Sequence, residues 1–214
     1  MSPASQLLAR SDTNGSLQRL SRADLPVNTV ELARYLVGKV IVHDTAKGRL
    51  SGRIVETEAY PVGDEAGHAF RGRTPRNGSL FLERGHAYVY LVYGLSFLLN
   101  VTSERAGVGA GVLLRAVEPL GGIELMDRAR RRKQRTDIGR GPGRLTQAMK
   151  VDLRHDGLDL CSAGSPLWLA ATARKTRPIG KSVRIGLTHG ADRLLRFYER
   201  GSEYISGPRK LLGE

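Results

Sequence analysis

The sequence has few of the residues that build covalent or metal-based frameworks. Its single cysteine, Cys161, excludes an internal disulfide and a cysteine-rich zinc site, which fits a reducing compartment. The five histidines are scattered without metal-ligand spacing, so we expect no metal and no other cofactor. No run of about twenty apolar residues occurs, and no secretion signal is evident, so we expect no membrane-spanning segment.

Acidic residues are outnumbered by basic ones. The chain has 21 Asp and Glu against 34 Lys and Arg, which gives a formal net charge of +13. A chain this basic usually meets a polyanion, and nucleic acid is favoured because no plainly basic amphipathic helix suggests an anionic membrane. We therefore expect a cytoplasmic protein, associated with the nucleoid if the source is bacterial.

The chain is long enough for one well-buried domain, since it has 214 residues, of which 40% are hydrophobic. Residues 1–24 have no sustained period and predict a flexible leader. Residues 25–214 have no internal repeat and no linker, and they predict a single α+β domain. A helix should begin after Asn28 and end near Gly38. The later strands are predicted at residues 39–43, 53–60, 108–120, 158–162, 166–170, 182–188 and 195–200, besides a hairpin described below.

Two carboxylates should lie side by side on the strand RIVETEAY. Its period of two places Ile54, Glu56, Glu58 and Tyr60 on one face, after turns at Gly48 and Gly52. One interpretation is a solvent face with salt-bridged glutamates. The other is a general base, because a carboxylate beside a like charge and an aromatic ring can accept a proton near neutrality.

Residues 86–102, HAYVYLVYGLSFLLNVT, predict a β-hairpin with Gly94 in its turn. Tyr93 then lies at the tip, where polar residues are usual. Such a ring either folds back onto the protein or presses against a bound partner.

Several arginines lie where phosphates could bind. The glycine-containing loop at residues 61–78 carries His68, Arg71, Arg73 and Arg76, although a solvated loop is the alternative. Arg115 interrupts an apolar strand and needs an acceptor, which could be Glu118 or a functional carboxylate or phosphate.

A second basic region follows the central strands. Residues 123–135 predict a helix with the basic run RARRRKQR on one side, which we interpret as a surface that contacts a nucleic-acid backbone. The sequence GPG then precedes a short helix, where free amides together with Arg140 and Arg144 could bind a phosphate.

Seven motifs in this order resemble the alkyladenine (methylpurine) DNA glycosylase family: ARYLVGK, GRIVETEAY, the loop with His68 and TPRN, YVYLVYG with its later asparagine, GVLLRAVEP, GPGRLTQA, and RIG followed by LRFY. They span roughly residues 30–206. The resemblance implies a single mixed domain around a curved antiparallel sheet, flanked by helices, with a protruding hairpin. It also implies a monomer that binds double-stranded DNA containing damaged purines.

The resemblance implies roles for the central residues. Glu58 matches the glutamate that activates the attacking water, and Arg115 matches the arginine near that water and the nucleotide's phosphate. Tyr93 matches the residue that fills the gap left by the extruded nucleotide. The base pocket is then formed by Tyr60, His68, Tyr90 and Asn100, of which the asparagine is thought to exclude guanine. Contacts to the DNA backbone are expected from Arg71, Arg73, Arg76, Arg140 and Arg144.

The activity implied is that of a monofunctional glycosylase of base excision repair, which releases alkylated or deaminated purines by hydrolysis and leaves an abasic site. A non-catalytic basic module that binds RNA or DNA is the alternative. Glu58 and Arg115 discriminate between the two, since a mere binder has no use for a carboxylate inside a polyanion site.

Overall fold

The computed structural model describes residues 17–130 and 135–212, which form one mixed α+β domain, as predicted. The strands are β1 (Gln18–Arg19), β2 (Val40–Thr45), β3 (Gly48–Tyr60), β4 (Ala87–Val92), β5 (Ser96–Thr102), β6 (Gly111–Gly121), β7 (Leu167–Ala171), β8 (Ile179–Ser182) and β9 (Arg196–Glu199). The α-helices are α1 (Thr29–Leu36), α2 (Ile123–Arg130) and α3 (Pro142–Met149). Short 3-10 helices lie at Arg22–Asp24, Gly78–Phe81, Arg135–Asp137, Leu153–His155 and Arg209–Leu211.

The sheet is antiparallel and is organised around β3. Its main path runs in the order β1, β7, β2, β3, β6, β5, β4. The first half of β3 pairs with β2, the second half pairs with β9, and β6 follows it along the other edge. β8 pairs with β9 and so extends this second branch. The residues of the ETEAY motif therefore lie between two strands, at the point where the sheet branches.

One main hydrophobic core joins the sheet to the three helices. Leu32, Leu36, Met126, Leu145 and Met149 from the helices are all buried in it. Helices α1 and α3 begin where the sequence predicts. The side chain of Asn28 caps two backbone amides of α1, and the GPG sequence starts α3. The core packs the helices against the sheet. The pocket described below lies at the end of β3 and the start of β6.

Some boundaries differ from the predictions. Within the predicted leader, residues 1–16 lie outside the described residues, whereas residues 17–24 form β1 and a 3-10 helix. Gly52 is not a turn residue: it lies within β3, where a Cβ would come 2.9 Å from Val117 on β6. The predicted strand at 158–162 is wrong, since the structure has only turns and an isolated bridge there. Only Ser182 of the predicted strand 182–188 belongs to a strand.

Candidate active site

Glu58 lies on β3 with its carboxylate fully buried beside two hydrogen-bond donors and one ion-pair partner. The Tyr60 hydroxyl donates to Oε2 at 2.9 Å, and the backbone amide of Ile185 donates to Oε1 at 2.8 Å. Arg115 on β6 places Nη1 3.2 Å from Oε1. A buried carboxylate is costly unless it is paired and hydrogen-bonded, and these three partners meet that requirement.

Glu56 is also fully buried, so the solvent-face interpretation of the two glutamates is wrong. Its Oε1 accepts from Arg196 Nε at 2.6 Å and from Arg115 Nε at 3.0 Å. Its Oε2 accepts from the backbone amide of Ser206 at 2.7 Å. Glu56 is therefore occupied in holding β9 and the C-terminal segment, whereas Glu58 is the glutamate that contacts a tyrosine of the pocket described below.

An irregularity in the sheet interrupts the alternation of side chains next to Glu56 and Arg115. The pairing of β3 with β6 shifts on both sides of Glu56, so that Val55 and Arg115 have no Cα partner across the ladder. As a result Ile54 belongs to the main core, and its predicted place on the face of Glu56 and Glu58 is wrong. A strict period of two cannot reveal this, because a bulge reverses the alternation without any mark in the local pattern.

Arg115 pairs with two buried carboxylates and not with Glu118. Arg115 contacts Glu56 and Glu58, and its Nη2 donates to Ser206 Oγ at 3.2 Å. Glu118 instead accepts from Arg174 at 2.8 Å, near the far end of β6. The charge of Arg115 is thus matched inside the site.

A pocket with a volume of about 130 Å³ opens beside Tyr60. It brings together all four residues predicted to contact a base, namely Tyr60, His68, Tyr90 and Asn100. Phe70, Leu80, Tyr88, Leu187 and the backbone of residues 109–111 complete much of its lining. Five aromatic rings and four glycines are among the lining residues, which suits a flat ligand.

The aromatic side of the pocket is uncharged. The His68 ring lies 4.4 Å from the Tyr90 ring, and its Nδ1 is 2.8 Å from the Tyr88 hydroxyl. Burial lowers the pKa of His68, and the positive charge of Arg76 lowers it further. Burial raises the pKa of Tyr90 to about 12, and the charge of Glu58 adds to that effect. At neutral pH these groups therefore present polar atoms without net charge.

Asn100 lies on β5 at the edge of this pocket and is 6% exposed. Its Nδ2 donates to the backbone carbonyl of Tyr88 at 3.2 Å, which fixes the amide plane. A held amide presents a defined edge to a ligand, so it can discriminate between bases by their exocyclic groups.

The hairpin forms as predicted between β4 and β5, with Val92 opposite Ser96. Tyr93 has φ of 49° and Gly94 has φ of 68°, so the backbone of both residues lies in the left-handed region that a tight hairpin turn requires. Tyr93 is 93% exposed and Leu95 is 82% exposed. The ring does not fold back onto the described part of the protein, and the tip presents two apolar side chains to the surroundings.

The predicted backbone-contacting arginines form two groups. Arg71, Arg73 and Arg76 are exposed on the loop before the hairpin, and Arg76 donates to the Leu91 carbonyl at 3.2 Å. Arg140 and Arg144 lie together with Arg115 around a second, polar cavity at the start of α3. The basic run of residues 128–135 lies largely outside the described residues, so its predicted role stays a prediction.

Sequence reasoning missed four residues of this site: Phe70, Asp64, Arg184 and Ile185. Phe70 lines the pocket while 51% exposed, and Ile185 supplies the amide that holds Glu58. Arg184 and Asp64 form a buried ion pair across 120 residues of sequence. No local pattern identifies such partners, because only the tertiary fold brings them together.

Within residues 17–130 and 135–212, no cluster of three His, Cys, Asp or Glu side chains is placed to hold a metal ion. Over the same residues, no helix has the length and apolar character needed to cross a bilayer. The groups gathered at the site are instead acids, arginines and rings.

Comparison with known proteins agrees with this geometry. The model of the methylpurine-DNA glycosylase family matches residues 23–203. A protein of Mesorhizobium japonicum is 62% identical over 192 residues, which cover 90% of this chain and 92% of the relative. A protein of Paraburkholderia phytofirmans is 56% identical and covers 90% of each chain. Both relatives bear the name "Putative 3-methyladenine DNA glycosylase".

The family match covers most of the chain and includes every residue of the pocket and the hairpin. It excludes the alternative of a non-catalytic binding module. The chain therefore belongs to the methylpurine-DNA glycosylase family and is a DNA N-glycosylase that acts in the repair of alkylated bases.

Proposed function

We propose that the protein is a monofunctional glycosylase that flips damaged purines out of duplex DNA and hydrolyses the N-glycosidic bond with a water activated by Glu58. The observation that carries the proposal is the buried Glu58 carboxylate, which lies between Arg115 and Tyr60, the tyrosine whose ring lines the aromatic pocket. The substrates proposed are 3-methyladenine, 7-methylguanine, hypoxanthine and ethenoadenine in double-stranded DNA.

Extrusion of the base is assigned to the hairpin tip. A base inside a duplex is out of reach of any enzymatic pocket, so the nucleotide must leave the stack and something must replace it. Tyr93 is 93% exposed at the tip of a two-stranded arm and can enter that gap. Stacking of an aromatic side chain on a base returns roughly 1–3 kcal/mol, which offsets part of the cost of opening. Damaged or mispaired bases open more easily and are therefore selected before chemistry.

The pocket is suited to an alkylated purine. Alkylation at a ring nitrogen gives the base a positive charge, and the faces of Tyr60 and Tyr90 can attract it through cation-π contact. The uncharged state of His68 avoids repulsion of that cation. Asn100 is proposed to reject guanine, whose exocyclic amino group meets its fixed amide.

Bond cleavage is assigned to Glu58 and Arg115. As the glycosidic bond breaks, positive charge builds up on the sugar, and a nearby carboxylate stabilises that state while it takes a proton from the attacking water. A cationic base leaves without help from an acid. Arg115 pairs with Glu58 and orients it, and it also borders the polar cavity where a phosphate of the flipped nucleotide can lie.

The proposed reaction leaves an abasic site and an intact strand. A lyase reaction would need an amine that forms a Schiff base with the sugar. Among the described residues, the lining of the pocket includes no lysine. We further propose that the protein acts as a monomer on duplex DNA, through Arg71, Arg73, Arg76, Arg140 and Arg144, in the cytoplasm with the nucleoid if the source is bacterial.

The direct test is a set of duplexes that carry one lesion each, incubated with the protein and analysed with and without alkali. We expect strand breaks only after alkali, in duplexes with a damaged purine, and none in the undamaged control. Absence of alkali-labile sites with all of these lesions would refute the proposed activity. Breaks before alkali would refute its monofunctional character.

A further inference from the structure

We propose that Arg184, paired with Asp64, is a positioning residue that sets the orientation of the Glu58 carboxylate. The inference rests on the proposed function, because it concerns the same site. Among the described residues, Tyr60 and the backbone amide of Ile185 donate the hydrogen bonds to Glu58. Arg184 lies over the ring of Tyr60 and precedes Ile185 in the chain.

Arg184 is held rigidly by its own partners. It is 3% exposed, and its guanidinium makes two contacts with the Asp64 carboxylate, of which Nη2 to Oδ1 is 3.0 Å. Its Nη1 also donates to the carbonyl of Ala59 on β3 at 3.0 Å. Asp64 is 2% exposed and is fixed in turn by the amide of Ala66 at 3.1 Å. A planar fork bound in this way has little freedom to rotate.

The first donor supported by Arg184 is Tyr60. The guanidinium carbon lies 4.6 Å from the centroid of the Tyr60 ring, which is a cation-π arrangement. The same ring lines the base pocket, and its hydroxyl donates to Glu58 Oε2. Arg184 therefore fixes the plane of a ring that serves both as a wall of the pocket and as a hydrogen-bond donor to the carboxylate.

The second donor is the amide of Ile185, the next residue along the chain. β8 ends at Ser182, so pairing within the sheet does not hold the segment that contains Ile185. The side chain of Arg184 ties this segment to Asp64 and to β3 instead. Loss of this tie would let the amide move away from Glu58 Oε1, which it contacts at 2.8 Å.

A second buried ion pair provides a matched control for the structural cost. Arg53 and Glu199 are 0% and 1% exposed and form an ion pair between β3 and β9. Like Arg184, Arg53 has a buried Nε without a partner. Arg53 lies opposite Glu118, whereas Tyr60 lies opposite Gly111 at the other end of β6. Replacement of either arginine removes one buried charge, but only Arg184 contacts the proposed site.

The test compares Arg184→Met and Arg53→Met by chemical denaturation, by affinity for a lesion duplex and by single-turnover base release below the unfolding transition. We expect both to lose stability, since each removes the nearest ion-pair partner of a buried carboxylate. We expect Arg184→Met to release base at least about tenfold more slowly while its affinity changes less than about threefold, and Arg53→Met to stay within about threefold in both. Equal rate losses in the two variants, or a parental rate in Arg184→Met, would overturn the inference.

Arg184→Lys covers the case in which Arg184→Met does not fold. Lysine keeps the charge beside Asp64 but loses the planar fork that stacks on Tyr60. We expect slower release in this variant with little change in affinity, and a parental rate would refute the positioning role.

Glu58→Gln in the same series separates the proposed function from the positioning role of Arg184. If it releases base as the parent does, the proposed function fails; if it is inactive while both Arg184 variants are fully active, only the positioning inference fails.

Discussion

The hydroxyl of Tyr60 donates a hydrogen bond of 2.9 Å to Oε2 of Glu58, which lies two residues away on the same strand. Burial raises the pKa of Tyr60 well above its usual range, and the charge of Glu58 raises it further. The phenol therefore stays protonated and remains a donor over the whole working range of pH. One residue thus forms a wall of the base pocket and orients the proposed catalytic carboxylate.

This relationship predicts the effect of Tyr60→Phe. The ring and its contact with Arg184 remain, so affinity for a lesion duplex should change little. Loss of a hydrogen bond to a charged group costs about 1.5–3 kcal/mol, so single-turnover base release should slow by about tenfold or more. Tyr90→Phe is the control, since Tyr90 lines the same pocket and no hydrogen bond to Glu58 is seen for it. Equal rate losses in the two variants would contradict the role of the Tyr60 hydroxyl.

The exposed ring at the hairpin tip predicts the effect of Tyr93→Ser. Tyr93 is 93% exposed, so the unfolding midpoint should not change. Affinity for a lesion duplex should fall by about tenfold, in line with the loss of roughly 1–3 kcal/mol of stacking. Measurement of binding and single-turnover release on the same duplex checks this. Unchanged values in both would show that Tyr93 does not enter the helix.

The exposed arginines predict a dependence on salt. Affinity for duplex DNA should fall as salt rises, and Arg73→Gln should lower the slope of log K against log salt by about 1. Lys175→Gln is the control, because Lys175 is exposed on the segment next to Arg174, which pairs with Glu118 at the other end of β6. Titrations at several salt concentrations measure the slopes. A flat response of the parent would exclude DNA phosphates as the main contact.

Two buried histidines predict a fall in stability at acid pH. His43 donates from Nδ1 to the Met149 carbonyl at 2.7 Å, and its Nε2 is 3.2 Å from Nε2 of His155. Burial lowers the pKa of His43 below its usual 6.5, and the facing His155 lowers it too, against opposing effects of the Met149 carbonyl, Asp44 and Asp152. The unfolded chain then binds the proton more readily than the folded one. The contribution to stability is present above about pH 6.5 and is lost as the pH falls towards the lowered value.

Denaturation at a series of pH values measures this effect. We expect the parent to lose stability between about pH 7 and 5 more steeply than His43→Asn does. His189→Asn is the control, since the His189 side chain is 70% exposed and should leave the slope as in the parent. Identical slopes in all three proteins would contradict the role of His43.

The sequence predicts the hairpin, the cap of α1 and the start of α3, because each depends on residues close together in the chain. It also predicts that both glutamates share a face, and both contact Arg115. It does not reveal the bulge at Glu56, which leaves Val55 and Arg115 without partners across the ladder. The pairing of Arg184 with Asp64 is equally hidden, since nothing in either local sequence specifies a partner 120 residues away.

The residues of the pocket likewise divide into those that the sequence predicts and those that it does not. Resemblance selects Tyr60, His68, Tyr90 and Asn100, and the fold brings these four residues together. The sequence does not predict that Phe70 lines the pocket, because a single aromatic residue in a polar loop has no period and matches no motif. The sequence predicts a turn at Gly52 because glycine commonly marks one, whereas in the structure this glycine allows β6 to approach closely.

The central claim is tested most directly by Glu58→Gln in a single-turnover assay on a duplex with one lesion, alongside measured affinity for that duplex. Glutamine keeps the shape of the side chain but cannot accept the proton of the attacking water. We expect base release to fall by at least about a thousandfold while affinity stays within about threefold of the parent. Release within about tenfold of the parent would contradict it.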